Sequence, residues 1–225
     1  MPSAAKKKVI IFGVGDFAQV ARVYLDRDSD YQVAAFTLHE QYIHERNLMG
    51  LDVLPFEKLT ETHPPSEYAM LVATGFKKVN KIRAELYEAC KQQGYQLISY
   101  VNSRATLWGE VEMGDNCFIF ENNVIQPFVR LGNDVILWSG NHIGHHAVIE
   151  DHCFISSHVV ISGRARIGRR SFLGVNATIR DGIQVGAETV VGAACVILHD
   201  TPEKSVYRGA ESQPTAISSD RLKGF

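Results

Sequence analysis

Beginning at Leu107 and stepping by six, every position reached up to Ile197 is aliphatic: Leu107, Met113, Ile119, Ile125 and Leu131 open a run of sixteen that closes with Ile179, Val185, Val191 and Ile197. Six residues turn an α-helix by about 600°, roughly 120° out of phase, so a helix cannot keep this step on one face. Four places after each aliphatic the residue is small, β-branched or an amide, as at Val111, Cys117, Asn123, Val129, Val135, Asn141, Ala147, Cys153, Val159 and Ala165. This is the hexapeptide repeat of a left-handed parallel β-helix, in which each hexad gives a short strand and a turn and three hexads close one triangular coil. Residues 18 apart stack at about 4.8 Å, so the run predicts somewhat more than five coils and a prism about 25 Å tall. Asn123 and Asn141 are expected to form an inward amide ladder. Cys117 and Cys153 fall two coils apart, about 10 Å, too far for a disulfide.

The preceding hundred residues follow another pattern. VIIFG (9–13), YQVAAFTL (31–38), YAMLVATG (68–75) and YQLISYV (95–101) read as strands; DFAQVARVYLDRD (16–28) and KKVNKIRAELYEACKQQG (77–94) read as helices, the second stopped by Gly94. Strand and helix in alternation predict a small parallel sheet with helices on its faces. The expected organisation is an α/β, Rossmann-like domain over 1–101, a β-helix over 102–201 and a tail over 202–225 that has lost the repeat and caps the prism.

Composition narrows the function. The 225 residues are 45% hydrophobic and 21% charged with a formal charge of −2, which disfavours a nucleic-acid or anionic-membrane partner. No apolar stretch approaches the roughly 18 residues of a spanning helix, so a cytoplasmic protein is expected. The four cysteines have neither metal-site nor secreted-framework spacing and are expected as buried free thiols.

Three features carry candidate chemistry. GVGDFA (13–18), between a strand and a helix, places backbone amides and a helix N-terminus where a phosphate can sit, or is simply a tight packing turn. The second strand ends in Thr37, Leu38 and His39 with no acidic residue, which disfavours a redox dinucleotide. Thr74, Gly75 and Lys77 of VATGFKK point to the same edge of the sheet, so Gly13, Gly15, Asp16, Phe17, Thr37, Thr74, Gly75 and Lys77 are the candidate contacts to a nucleotide-linked ligand.

The second feature is GNHIGHHAVIEDHCFISSHVVISG (140–163), which holds five of the nine histidines. His146, His152 and His158 each stand three after successive aliphatics and fall on three different corners, so they cannot converge on one metal within a subunit. His152 and His158 are expected as solvated corner residues. His145 and His146 share a single corner beside Gly163, whose missing side chain leaves room for a ligand, and histidine is the side chain most easily poised to take a proton near neutral pH. The third feature is the group Arg164, Arg166, Arg169 and Arg170, which fits either an anion site or a solvated charged face beside Glu150 and Asp151.

A β/α half joined to a hexapeptide β-helix with "IGHHAVI…FISSHVVISG…FLGVNATI" resembles the sugar O/N-acyltransferases of the NeuD and PglD type over nearly the whole chain. The resemblance implies a homotrimer in which acetyl-CoA lies between neighbouring prisms and the first domain holds a nucleotide-linked amino sugar of bacterial glycan biosynthesis. It places His145 as general base, with His146 where the family commonly has an orienting Asp or Glu. It runs the pantetheine past Gly163, Val175, Asn176, Gly192 and Ala193 and calls for no metal. A family histidine at the acyl group falls on Phe154, and the usual GxPA has become GAES (209–212). N-acetylation is the expected reaction; O-acetylation, a metalloenzyme of the γ-carbonic-anhydrase kind and a non-catalytic scaffold are the alternatives.

Overall fold

The computed structural model describes residues 6–109 and 111–221. Its first domain is a five-stranded sheet of order β3-β4-β2-β1-β5, formed by β1 (Lys7–Phe12), β2 (Tyr31–Leu38), β3 (Asn47–Leu48), β4 (Leu51–Pro55) and β5 (Ala69–Val72). All neighbours are parallel except the β3–β4 hairpin. Helix α1 (Asp16–Arg27) buries Phe17, Ala18, Ala21 and Leu25, the apolar stripe read at helical spacing, on one face of the sheet. The one-turn α2 (Leu59–Thr62) precedes β5, and α3 (Lys81–Gln92) packs Tyr87 and Cys90 against Ile10, Phe12 and Met70 on the other face.

Two expectations change here. The second helix starts at Lys81 rather than Lys77, because Lys78, Val79 and Asn80 all take left-handed backbone, with φ of +52°, +52° and +60°. Its end is as expected, with Gly94 at φ +87°. The run YQLISYV is divided between domains: Leu97 makes a bridge to Met70 of β5, whereas Tyr100–Val101 pairs with Phe118–Ile119 and opens the β-helix.

From Tyr100 the chain winds into a left-handed prism with parallel sheets of seven, six and five short strands on its three faces. Partners such as Val124, His142 and Val160 stand 18 residues apart in register. The aliphatics at the six-residue step are buried from Ile119 to Ile197, and Asn123 and Asn141 lie among them. Asn123 Nδ2 donates to the Phe120 and Trp138 carbonyls, and Asn141 Oδ1 accepts from the Val159 amide, which is the predicted ladder. All four cysteines are buried and unpaired. The coil runs further than expected: Val206–Tyr207, in the predicted tail, adds a strand beside Val190–Val191.

At the corners from Asn116 to Ala194 the third residue after the aliphatic is left-handed, as at Asn116, Asn122, Asp134, His146, His152, His158 and Asn176, with φ between +54° and +62°. Asn, Asp and His tolerate this region better than other non-glycine residues. Part of the histidine density is therefore backbone conformation rather than chemistry.

The three faces differ in what their outward positions carry. The seven-stranded face presents Phe118, Ile136, Phe154 and Phe172, and the first domain covers it: Phe17 and Leu25 of α1, Phe36 of β2 and these rings form one apolar cluster. The five-stranded face is charged, with Glu112, Arg130 and Arg166 outward. The six-stranded face is open and more apolar than the charged one: Val124, Val160 and Val196 alternate outward with Thr106, His142 and Thr178, and Val160 is 38%, Val196 61%, Trp108 62% and Leu198 49% exposed.

Candidate active site

At the carboxyl edge of the first sheet, where α/β domains hold ligands, a cavity of about 840 Å³ opens between the domains. Its wall contains Gly13, Gly15, Asp16, Phe17, Thr74, Gly75 and Lys77, and the prism supplies Trp138 and Phe154. A Cβ on Gly13, at φ +130°, would stand 2.6 Å from the Ala73 carbonyl oxygen, so glycine lets the ends of β1 and β5 close up. Gly15, the N-cap of α1, and Gly75 face open space. Asp16 stands in the first turn of α1 and already brings a negative charge to that helix end.

Two buried polar atoms among the residues of this wall have no hydrogen-bond partner: Thr74 Oγ1 and Trp138 Nε1. A buried donor without a partner is costly in a folded protein; both atoms belong to residues of the cavity wall and are themselves shielded from solvent. Phe76 joins the wall and packs on Phe154 and Phe172 at centroid distances of 5.1 and 4.7 Å.

Thr37 is not part of the site. It is wholly buried, and its hydroxyl donates to the Leu54 carbonyl at 2.8 Å. His39, two residues further along, lines the cavity instead, with Nδ1 2.8 Å from Glu57 Oε1. Sequence reasoning noted His39 only as the absence of an acid. Trp138 was missed as well, although its place just after Leu137 puts it at the edge of the covered face.

His145 and His146 stand exposed at the corner between the apolar and charged faces, opposite the face that the first domain covers. The His145 amide donates to Gln126 Oε1 at 2.8 Å, and its carbonyl accepts from the Arg164 amide of the next coil at 2.8 Å. Nδ1 of His145 is 3.2 Å from Nδ1 of His146, whose ring packs on Phe128 at 4.7 Å. One nitrogen of that pair must donate and the other accept, so the two tautomers are coupled. With Nδ1–H donating to His146, Nε2 of His145 carries the lone pair of a base.

The space beside Gly163 is not vacant as expected. A Cβ there would lie 2.8 Å from both Cε1 and Nε2 of His145 and 2.9 Å from Oδ1 of Asp181. The imidazole occupies the room that glycine leaves.

The other candidate cofactor contacts are elsewhere. Val175, Asn176, Gly192 and Ala193 follow Leu173 and Val191 and form the opposite edge of the apolar face from Gly163. The Asn176 and Gly192 amides are already engaged, with the carbonyls of Ser157 and Tyr207, so they are not open donors. The four arginines also separate. Arg164 stays at the histidine corner, Arg166 pairs with Glu150 on the charged face, the Arg169 amide donates to Glu150, and Arg170 pairs with Glu188.

His158 is exposed as expected, but His152 is not. Its corner is the one the first domain covers, and its Nδ1 lies 2.9 Å from Oδ2 of Asp134, a wholly buried carboxylate that also accepts from Arg83 Nε at 2.9 and 3.0 Å and from Asn116 Nδ2 at 2.7 Å. Arg83, itself wholly buried, further donates to Asn80 Oδ1 and to the His152 carbonyl. Asn80 Nδ2 reaches the Arg170 and Ser171 carbonyls, and so the left-handed turn before α3 is tied to the prism. Phe154 lies beneath Arg83, in the cavity wall and away from the His145 corner.

Residues 128–163 match the bacterial transferase hexapeptide (six repeats) family and residues 164–199 the hexapeptide repeat of succinyl-transferase family. The two matches are contiguous and together span residues 128–199 of the β-helix. The chain is similar over 97 residues, at 26% identity, to the acyl-(acyl-carrier-protein) UDP-N-acetylglucosamine O-acyltransferase of Burkholderia lata, an alignment covering 42% of this chain and 37% of that protein. In fold it resembles the acetyltransferase domain of PglB from Neisseria gonorrhoeae, with TM-score 0.81 and 24% identity over 93% of this chain and all (100%) of that one. It equally resembles a histidine variant of the perosamine N-acetyltransferase of Caulobacter crescentus in complex with CoA and GDP-perosamine, with TM-score 0.81 and 24% identity over 90% and 93% of the two chains. WeeI of Acinetobacter baumannii follows with TM-score 0.77 and 17% identity, over 89% and 96%. These likenesses establish a shared two-domain fold. Among the described residues no helix is long and apolar enough to cross a membrane, and no group of three or more His, Cys, Asp and Glu side chains gathers as a metal-ligand set.

Proposed function

We propose that this protein is an acetyl-CoA-dependent transferase that acetylates the amino group of a nucleotide-linked amino sugar, in the cytoplasm and for bacterial glycan synthesis. The observation that carries the reading is the pairing, in one chain, of an interdomain cavity lined by the Gly13, Gly15 and Gly75 turns with an exposed corner histidine whose Nδ1 lies 3.2 Å from that of His146. The solved structures of like fold support it, since one of them holds CoA and GDP-perosamine together.

The chemistry asks for three things. The attacking amine must lose a proton as it adds to the thioester carbonyl, the tetrahedral oxyanion must be stabilised, and the thiolate must leave. His145 takes the proton at Nε2, and His146 accepts from Nδ1–H, holding the ring in the tautomer that leaves Nε2 free. A covalent enzyme intermediate is unnecessary.

The cavity and His145 lie on opposite sides of the triangular cross-section, so one chain does not present its own sugar to its own base. A homotrimer resolves this. Packing the open apolar face of one prism beside the next brings the corner histidine of one copy toward the cavity of its neighbour, and acetyl-CoA would lie in the crevice, between the Gly163 edge of one copy and the Val175–Ala193 edge of another.

The test is thiol release from acetyl-CoA across a panel of nucleotide-linked amino sugars, with products identified by mass. One such sugar should gain an acetyl group on nitrogen, and His145→Ala should abolish transfer while sparing sugar-nucleotide binding. Binding without transfer by the unaltered protein would refute the reading in favour of a scaffold; activity lost on chelation would refute it in favour of a metalloenzyme.

A further inference from the structure

In the family pattern the residue after the base is a carboxylate, yet here that position is His146, and a second imidazole brings no fixed negative charge to the ring. The corner column supplies one from another direction. Stepping by 18 from Pro127 gives His145, Gly163, Asp181 and His199 one above another. Asp181 is two coils from His145, a separation of about 10 Å between their backbones. Gly163 alone intervenes, and the imidazole and the carboxylate both lean into the space it leaves: each comes within 3 Å of the point where its Cβ would be, at 2.8 Å for Nε2 and 2.9 Å for Oδ1.

We propose that Asp181 is the carboxylate partner of His145, a positioning residue that acts across the gap at Gly163 and stabilises the imidazolium formed when Nε2 takes the proton of the acceptor. The inference rests on the reading of His145 as the base. Nε2 is the nitrogen on the Asp181 side, and Nδ1 is held by His146. As the proton moves from the attacking amine to Nε2, the ring gains a positive charge facing the carboxylate, and the same proton is later available to the departing thiolate. The gap is too wide for a direct hydrogen bond to Asp181 in this structure. The other charged or titratable residues of this corner are His146 beside the ring, Arg164 on the coil above, Arg180 next to Asp181, and His199 and Asp200 one coil beyond it. Asp181 is the acidic residue of this corner fewest coils from His145.

The experiment compares kcat and KM for both substrates, and the pH dependence of kcat/KM, in the unaltered protein and its variants. Asp181→Asn should cut kcat at least about tenfold with the KM of either substrate little changed, and Asp181→Glu should recover part of the loss. Gly163→Ala, which fills the shared space, should reproduce the loss. An unchanged kcat and pH profile in Asp181→Asn overturns the proposal. His145→Ala keeps that failure apart from failure of the reading beneath it: loss of activity in His145→Ala with no effect in Asp181→Asn removes only Asp181, whereas full activity in His145→Ala removes the base itself.

Discussion

Replacing Arg83 by Met isolates what holds the two domains in register. The guanidinium is wholly buried against the wholly buried Asp134 carboxylate. Methionine keeps much of the stem while removing the donors to Asp134 Oδ1 and Oδ2, to Asn80 Oδ1 and to the carbonyls of His152, Asp134 and Cys153. Asn116 and His152 remain on the carboxylate, but the permanent cation is gone. Removing one partner of a buried pair costs about 3–5 kcal/mol because a charge is left uncompensated in a low-dielectric setting. With a urea slope of about 2 kcal/mol/M, the midpoint falls by about 1.5–2.5 M. Circular dichroism at fixed protein concentration measures this, since association would otherwise contribute. The double variant Arg83→Met with Asp134→Leu removes both charges and should recover most of the loss. A single variant that loses less than about 1 kcal/mol, or a double variant no better than the single, refutes the assignment of Arg83 as the interdomain tie.

Two further outcomes follow from the same coordinates. Burial pushes the thiols of Cys90, Cys117 and Cys153 up to about 12; an unfolded thiol ionises near about 8.5, so their contribution is intact below that pH and is lost as pH rises toward the folded value. Thermal melts from pH 8 to 10 should show a steepening loss that Cys153→Ala lessens, and a flat profile would exclude it. Trp138→Phe keeps the stacked contact with Phe120, at 4.4 Å and 8°, but removes the indole N–H, so sugar-nucleotide affinity should fall about five- to tenfold, as expected for one hydrogen bond. Calorimetry showing unchanged affinity would remove Trp138 from the ligand contacts.

The β-helix was legible because its core is periodic in sequence: each aliphatic of the six-residue step needs only its own coil and the next to be buried. The alternating sheet was legible for a similar local reason, since Val9–Phe12 and the stripe on α1 carry their own pattern. What periodicity does not reveal is which face another domain will cover. His152 and His158 hold equivalent corner positions with φ of +62° and +59°, yet one meets Asp134 beneath the first domain and the other faces solvent. Thr37 failed as a ligand contact because its side chain turns to the β4 backbone, and β3 and β4 gave no signal that was read. The start of α3 was displaced because Asn80 is tied to Arg170 and Ser171, ninety residues away in sequence, and no local rule encodes that. The shared corner of His145 and His146 follows from spacing; the approach of the His145 imidazole and the Asp181 carboxylate to Gly163 depends on side-chain direction, which spacing does not encode.

The corner column has an arithmetic consequence. Chemical groups at the rim of this solenoid are addressed by remainder rather than by nearness along the chain, so residues eighteen or thirty-six places apart stand in one column. Indels obey the same modulus. Inserting one whole turn of the spiral between Gly163 and Asp181 would leave every aliphatic in its proper place and still separate the Asp181 carboxylate from the His145 ring by another 4.8 Å or so, whereas a lone inserted residue would throw the inside of the spiral out of phase.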